Sequence, residues 1–177
     1  HGMRIARLAD YPQSLKRLWG VDVLVPIAPD MTKRVESLGW TKQTELISNF
    51  TSMETVAPIS RAELEVPPDA FLIVARGRFV KRKGFDTLLR ALAKLPKAHL
   101  VLVGAGEERQ PLVDLAASLG VSDRLRLTGW VKDSRPYMAA CDVFAFPSTH
   151  EPLGNVALEA WAQGRAMVAT RAEGPSW

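Results

Sequence analysis

Glu151 and Glu159 flank the stretch "HEPLGNVALEAWAQG" at residues 150–164, with Gly154 and Asn155 between them where the pattern turns helical. Two carboxylates so placed could be an acid and base, charges on a solvated face, or two grips on one ligand. Helix geometry separates these options. A helix starting near Leu153 presents unpaired N–H groups and the positive end of its dipole, which attract an anion. Gly154 lets the backbone approach that anion closely. Glu159, on the same helical face as Asn155 and about 6 Å further along the axis at roughly 1.5 Å per residue, is too deep to meet it. Its two acceptor oxygens match a pair of adjacent hydroxyls, as on a ribose. Glu151, in the loop before the helix, reaches toward whatever lies beyond the anion.

The complementary cations are in "GRFVKRKG" at 77–84, where Arg78 offers a planar fork and Lys83 a point charge behind Gly77. Such a pair suits a diphosphate better than a lone carboxylate. A basic loop is commonly just solvated, and a glutamate near a helix start is commonly a capping charge. Convergence on one crevice is what turns these residues into a site, and the surrounding elements must supply it.

Five apolar runs have strand character: 70–77, "HLVLVG" (99–104), "RLRLTG" (124–129), "VFAFP" (143–147) and "AMVAT" (166–170). Helical patterns separate them. One presents Phe85, Leu88, Leu89, Leu92 and Leu95 on one face before Pro96. Others run over 107–119, ended by Gly120, over 134–140, and over 153–163, ended by Gly164. The alternation predicts an α/β, Rossmann-like, doubly wound parallel sheet covered on both faces. In the common order 3-2-1-4-5 the first and fourth strands are neighbours where the winding reverses, so the loops leaving them face one crevice. One loop carries Arg78 and Lys83, the other Glu151, Gly154 and Asn155. Upstream, "VDVLVPI" (21–27) and "TELIS" (44–48) bracket a helix capped by Asp30 and ended by Gly39, the tail end of a second α/β lobe. Residues 49–70 have no clear period and read as a linker.

Composition narrows the classes. No apolar run approaches the roughly 20 residues of a membrane span, and "HGMRIARLADYP" lacks a signal-peptide core, so a cytoplasmic address is expected. The single cysteine excludes an internal disulfide framework, and no His/Cys spacing suits zinc, so no metal is expected. The net charge of +4 favours anionic partners, but "RFVKRK" lacks the interleaved aromatics of a nucleic-acid surface, so no nucleic acid is expected. "VGAGEER" has Arg109 where a dinucleotide turn needs its third glycine, and "NFT" at 49–51 reads as a chance sequon. The tryptophans read as packing residues, although Trp130, after the third strand, is placed to touch a base. A glycosidase needs its two carboxyl groups to flank the scissile bond with one protonated, whereas neighbouring cations favour ionised carboxylates.

"GRFVKRKGFDTLLRALA", "LVLVGAGEERQPLVDLAASLGVSDRLRLTGWV" and "MAACDVFAFPSTHEPLGNVALEAWAQGRAMVATRAEG" together resemble the donor-binding lobe of the GT-B retaining glycosyltransferases, glycosyltransferase family 4 (group 1). The likeness runs from about Phe71 to Gly174 and includes the family's Glu-x7-Glu motif. It implies a nucleoside-diphosphate sugar as donor and a glycan or lipid-linked acceptor, without metal or other cofactor. Arg78, Lys83 and Glu151 would be catalytic. Gly77, Arg78, Lys83, Trp130, Glu151, Gly154, Asn155 and Glu159 would bind the donor, with the amides of Gly154 and Asn155 on phosphate. Pro152 and Leu153 replace the family's usual Gly-Phe, which bears on the donor sugar and loop shape. The wording is similar to that of enzymes building lipopolysaccharide or other envelope glycans. Residues 1–62 resemble the end of the acceptor lobe plus the interlobe connection, and 63–177 an incomplete donor lobe. His1-Gly2 is either the His-Gly near the acceptor lobe's reacting centre or a cloning remnant. The chain reads as a fragment of a larger enzyme, whose missing residues would carry acceptor contacts and any peripheral membrane association. A non-catalytic nucleotide-sugar-binding module and a nucleotide-sugar epimerase are the alternatives.

Overall fold

Two parallel sheets organise the chain in a computed structural model that describes residues 2–173. The first sheet holds β1 (Ile5–Leu8), β2 (Val23–Pro26) and β3 (Gln43–Thr44) in the order β1-β2-β3, with α1 (Pro29–Ser37) between the last two in sequence. The second comprises β4 (Phe71–Arg76), β5 (Ala98–Val103), β6 (Leu125–Gly129), β7 (Val143–Phe146) and β8 (Met167–Ala169) in the order β6-β5-β4-β7-β8. That is the predicted 3-2-1-4-5 winding, and the fold is α/β and Rossmann-like. The crossovers contain α2 (Phe85–Leu92), α3 (Arg109–Ser118), α4 (Arg135–Ala140) and α5 (Asn155–Ala162).

The central strands read as unbroken apolar runs because both their faces are covered. Alternate residues of β4 and β5 split between two cores: Ile73, Ala75, Leu100 and Leu102 pack with Leu89, Leu92, Leu112 and Ala116 of α2 and α3. Leu72, Val74, Val101 and Val103 pack with Met138, Ala157 and Ala160 of α4 and α5. Leu64 and Val66 from the connecting segment are buried in that second core. The same segment is strapped to the end of α5 by buried Gln163, which accepts from the Val56 N–H at 3.0 Å and donates to the Glu54 carbonyl at 3.0 Å. A third core gathers Leu8, Leu24, Ile27, Ala28, Met31 and Val35 beneath the three-stranded sheet, and Leu153 from the loop before α5 packs against it.

Several local expectations are corrected. α1 is capped by Ala28, not Asp30: Pro29 fits the first turn with its fixed φ and missing N–H, which moves the start forward and leaves Asp30 inside, 3.3 Å from Lys33. α2 ends at Leu92 rather than at Pro96: the chain tightens into i→i−3 bonds from Lys94 to Ala91 and from Leu95 to Leu92, and Leu95 is 45% exposed. Of "TELIS" only Thr44 is strand, following Gln43 in β3, although Glu45 and Ile47 N–H groups still donate to Leu24 and Pro26 carbonyls. β1 escaped prediction because it is short and mostly exposed. The tryptophans are not packing residues as a group: Trp19, Trp130 and Trp161 are 86%, 77% and 55% exposed, while Trp40 packs against the third core.

Asp142 secures the start of β4 through one oxygen, 2.7 Å from the Leu72 N–H and 3.0 Å from the Arg61 guanidinium. Burial pushes its carboxyl up, but the Leu72 and Arg61 hydrogen bonds outweigh burial and hold it below the ordinary range. A depressed carboxylate contributes stability above its unfolded value, and that stability is lost as pH falls through the folded one. Asp142→Asn is therefore expected to lower Tm at pH 7 and to shrink that deficit toward pH 3, as read by thermal melts across the pH range.

Candidate active site

β4 and β7 are hydrogen-bonded neighbours, with Ile73 beside Val143 and Val74 beside Phe144. The loops leaving them therefore meet, as the topology requires. Gly77 opens the first loop, its N–H donating to the Val103 carbonyl at 3.0 Å. Phe79 is fully buried, stacks edge-on against Phe85 at 5.5 Å, and bonds to Ala105 and Glu108 of the next loop at 2.8 and 3.0 Å. That anchor leaves Arg78 exposed at the rim. Gly104 and Gly106 make the anchor possible, since a Cβ on them would lie 2.0 Å from the Gly77 carbonyl oxygen and 2.4 Å from that of Phe79. The "GAG" that failed as a dinucleotide turn thus braces the cationic loop.

A 3-10 turn at Lys81–Lys83 and Gly84, at φ +65°, then lead into α2. The second loop is stitched to this turn: the Thr149 N–H donates to the Arg82 carbonyl at 2.8 Å. Gly154 ends that loop at φ +82°, against the Phe146 ring, and α5 begins at Asn155. Asn155 and Val156 of its first turn line the crevice, at the helix end where N–H groups lack intrahelical partners.

A cavity of about 470 Å³ lies between these loops, lined by Arg76, Gly77, Arg78, Lys83, Val103, Gly104, Ala105, Trp130, Val131, Asn155, Val156 and Glu159. Six predicted residues thus share one wall: Gly77, Arg78, Lys83, Trp130, Asn155 and Glu159. Glu151 is not in the lining but is ion-paired with Lys83, both side chains mostly buried at 19% and 15% exposure. Gly154 caps the helix that forms the cavity floor. The Lys83 ammonium also sits 5.8 Å over the Phe146 ring. Among the described residues Arg78 has no carboxylate partner, which leaves its fork to the cavity.

Glu159 is ion-paired with Arg76, a residue that sequence reasoning missed. Its signal was an arginine ending the otherwise apolar strand "FLIVAR". The Asn155 side chain points elsewhere, its carbonyl oxygen accepting from the Asn49 amide, which in turn is bonded by Arg7 of β1. Each glutamate has its own cation, an arrangement unlike two carboxyl groups acting on one bond. Among the described residues, no group of three or more His, Cys, Asp or Glu is placed to hold a metal ion. Among the same residues no helix is long and apolar enough to cross a membrane. His1, one candidate for a reacting-centre histidine, lies outside the described residues.

A doubly wound sheet with basic groups and a helix start at its switch point defines an α/β protein with a cleft whose chemistry suits an anion. The family model for "Glycosyl transferases group 1" matches residues 70–177, and the chain belongs to that family. Two lipopolysaccharide core biosynthesis glycosyltransferases of Rhizobium meliloti (strain 1021) are similar to it. LpsE is 51% identical over 98% of this chain and 51% of its own length, and LpsD 48% identical over the same shares. The chain thus spans about half the length of these curated relatives. Among solved structures, Anabaena HepE in complex with UDP superposes with a TM-score of 0.86 at 26% identity, over 97% of this chain and 54% of that one. WaaG, a glycosyltransferase involved in lipopolysaccharide biosynthesis, shares the fold with a TM-score of 0.81 at 18% identity, over 98% of this chain and 58% of its own. The architecture is that of the GT-B glycosyltransferases.

Proposed function

We propose that this chain supplies the donor half of a retaining glycosyltransferase. The enzyme moves a sugar from a nucleoside-diphosphate sugar to a glycan or lipid-linked acceptor, in cell-envelope glycan synthesis of the lipopolysaccharide type. The observation that carries the reading is one cavity lined by Arg78, which has no carboxylate partner among the described residues, by Lys83, by the start of α5 and by Glu159. The diphosphate lies against Arg78, Lys83 and the Gly154–Asn155 amides, Glu159 holds the ribose, and Trp130 covers the base. Glu151, tethered to Lys83, faces the transferred sugar. As the bond from the anomeric carbon to its phosphate oxygen breaks, the two cations absorb the charge developing on the leaving diphosphate. That role needs no metal and no further cofactor. Residues 1–62 belong on this reading to the acceptor lobe and connection, and 63–177 to the donor lobe. The enzyme works in the cytoplasm, at the membrane's inner face.

A thermal-shift panel of UDP, GDP, ADP and their sugars tests the reading, and one nucleotide series is expected to raise Tm. A flat response to all of them would overturn it. Within the protecting series, Glu159→Ala is expected to weaken the ribonucleotide roughly 10- to 100-fold and to erase its preference over the 2′-deoxy form, because one carboxylate-to-hydroxyl hydrogen bond is worth about 1.5–3 kcal/mol. Titration calorimetry reads both effects, and an intact ribo preference would remove Glu159 from the ribose.

A further inference from the structure

The loop carrying Glu151 is held from a side that the nucleotide reading does not use. The Glu151 backbone N–H lies 3.1 Å from one carboxylate oxygen of Glu173, to which it donates. The other oxygen of Glu173 is 2.9 Å from Nδ1 of His150. Nε2 of the same ring is 3.1 Å from Oδ1 of Asp10, which follows β1 on the three-stranded lobe. His150 is thus the centre of a carboxylate–imidazole–carboxylate bridge from one sheet unit to the other. An imidazole donates from both nitrogens only when protonated. In the neutral ring one nitrogen becomes an acceptor facing a carboxylate, and one half of the bridge opens.

The groups around the ring are nearly all acidic. Asp10 and Tyr11, with Asp30 acting on Tyr11, come from the three-stranded lobe, and Glu173 from the segment after β8. Glu151 is engaged by Lys83, and the neighbouring turn offers the Arg82 carbonyl to Thr149. Glu173 first, then Asp10, hold the imidazolium against the cost of burial and raise His150 above its ordinary value.

We propose that His150 is a positioning residue, a proton-dependent tie between Asp10 and Glu173 that fixes the loop holding Glu151 over the donor sugar. The proposal rests on the reading of Glu151 as the sugar contact. The tie is complete below about pH 6.5 and is lost as pH rises through the elevated folded-state value of the ring. It grips the sugar end of the donor, so a nucleoside diphosphate without sugar is indifferent to it.

Ring-nitrogen NMR of the labelled chain tests the bridge, with His150→Asn assigning the signal among the three histidines. His150 is expected to titrate above its ordinary value, and Asp10→Asn and Glu173→Gln are each expected to bring it down. The positioning role is read from the affinity of the nucleotide sugar that protects most in the thermal-shift panel, divided by that of its own nucleoside diphosphate. In the parent chain this ratio is expected to fall about threefold or more between pH 6 and pH 8.5 as the ring deprotonates. In His150→Asn it is expected to stay low across the range, with nucleoside diphosphate affinity unchanged. Titration at or below the ordinary value, or indifference to both carboxylate substitutions, overturns the bridge. A ratio that His150→Asn leaves untouched overturns the positioning role. Failure of the nucleoside diphosphate to bind at all strikes the function proposed above, while the NMR result still decides the bridge.

Discussion

Replacing Arg78 and Lys83 together with alanine is expected to abolish the thermal protection that a nucleoside diphosphate gives this chain. Hydrogen bonds to charged groups are worth about 1.5–3 kcal/mol each, so losing two weakens binding by roughly 10²- to 10⁴-fold. Ligand at a hundred times its Kd stabilises a protein by about 2.7 kcal/mol, which for this size is a rise of roughly 5–10 °C, and a loss of that order leaves almost none of it. The single variants are not expected to be equal. Arg78 is exposed and without a carboxylate partner among the described residues, so its removal costs only its own contacts. Lys83 neutralises Glu151 in a mostly buried pair. Its removal leaves an uncompensated carboxylate beside the phosphates, so Lys83→Ala is expected to be the worse of the two. Lys83→Ala with Glu151→Gln is expected to recover part of the loss. Undiminished protection of the Arg78→Ala, Lys83→Ala double variant would remove both residues from the site.

Gly84→Ala is expected to destabilise the fold and disable the cleft together. A Cβ there would lie 2.1 Å from the carbonyl oxygen of Pro147, in a backbone conformation of φ +65° that side chains rarely adopt. Left-handed backbone costs roughly 1–2 kcal/mol for a residue with a Cβ, and overpacking adds typically 1–3. A sum of about 3 kcal/mol corresponds to a fall in Tm of roughly 6–12 °C for a chain of this length. The obstacle is backbone, so relief requires the turn at 81–83 to move away from the end of β7. That movement shifts Lys83 and Glu151 as a pair. Calorimetric melting checks the stability, and nucleoside diphosphate titration below the new Tm checks the site. A variant with unchanged Tm and affinity would contradict the close approach of the two loops.

The winding of the five-stranded sheet was legible because buried parallel strands announce themselves as apolar runs and permit few topologies once helices alternate with them. From that order alone Arg78, Lys83 and Glu151 could be gathered at one crevice. What stayed illegible depends on pairings between distant residues. Arg76 looks like a strand terminus until α5 brings Glu159 against it. Gly104 and Gly106 belong to a failed motif until the neighbouring loop is seen folded over them. Asp10 is an ordinary polar residue after a strand too short and exposed to have a period. Trp19 and Trp161 were misread as packing residues because residue type speaks for burial only on average.

Leu153 stands in a loop of the five-stranded unit, yet packs against the third core, the one that holds Leu8, Leu24 and Ile27. An apolar side chain from one sheet unit seated against the core of the other acts as a rivet between them. The seating of that leucine in the three-stranded core is thus transmitted to the turn from Glu151 to Asn155, whose last residue lines the cavity. Leu153, standing where the family's usual wording has phenylalanine, therefore ties the shape of that turn to the packing of the three-stranded core.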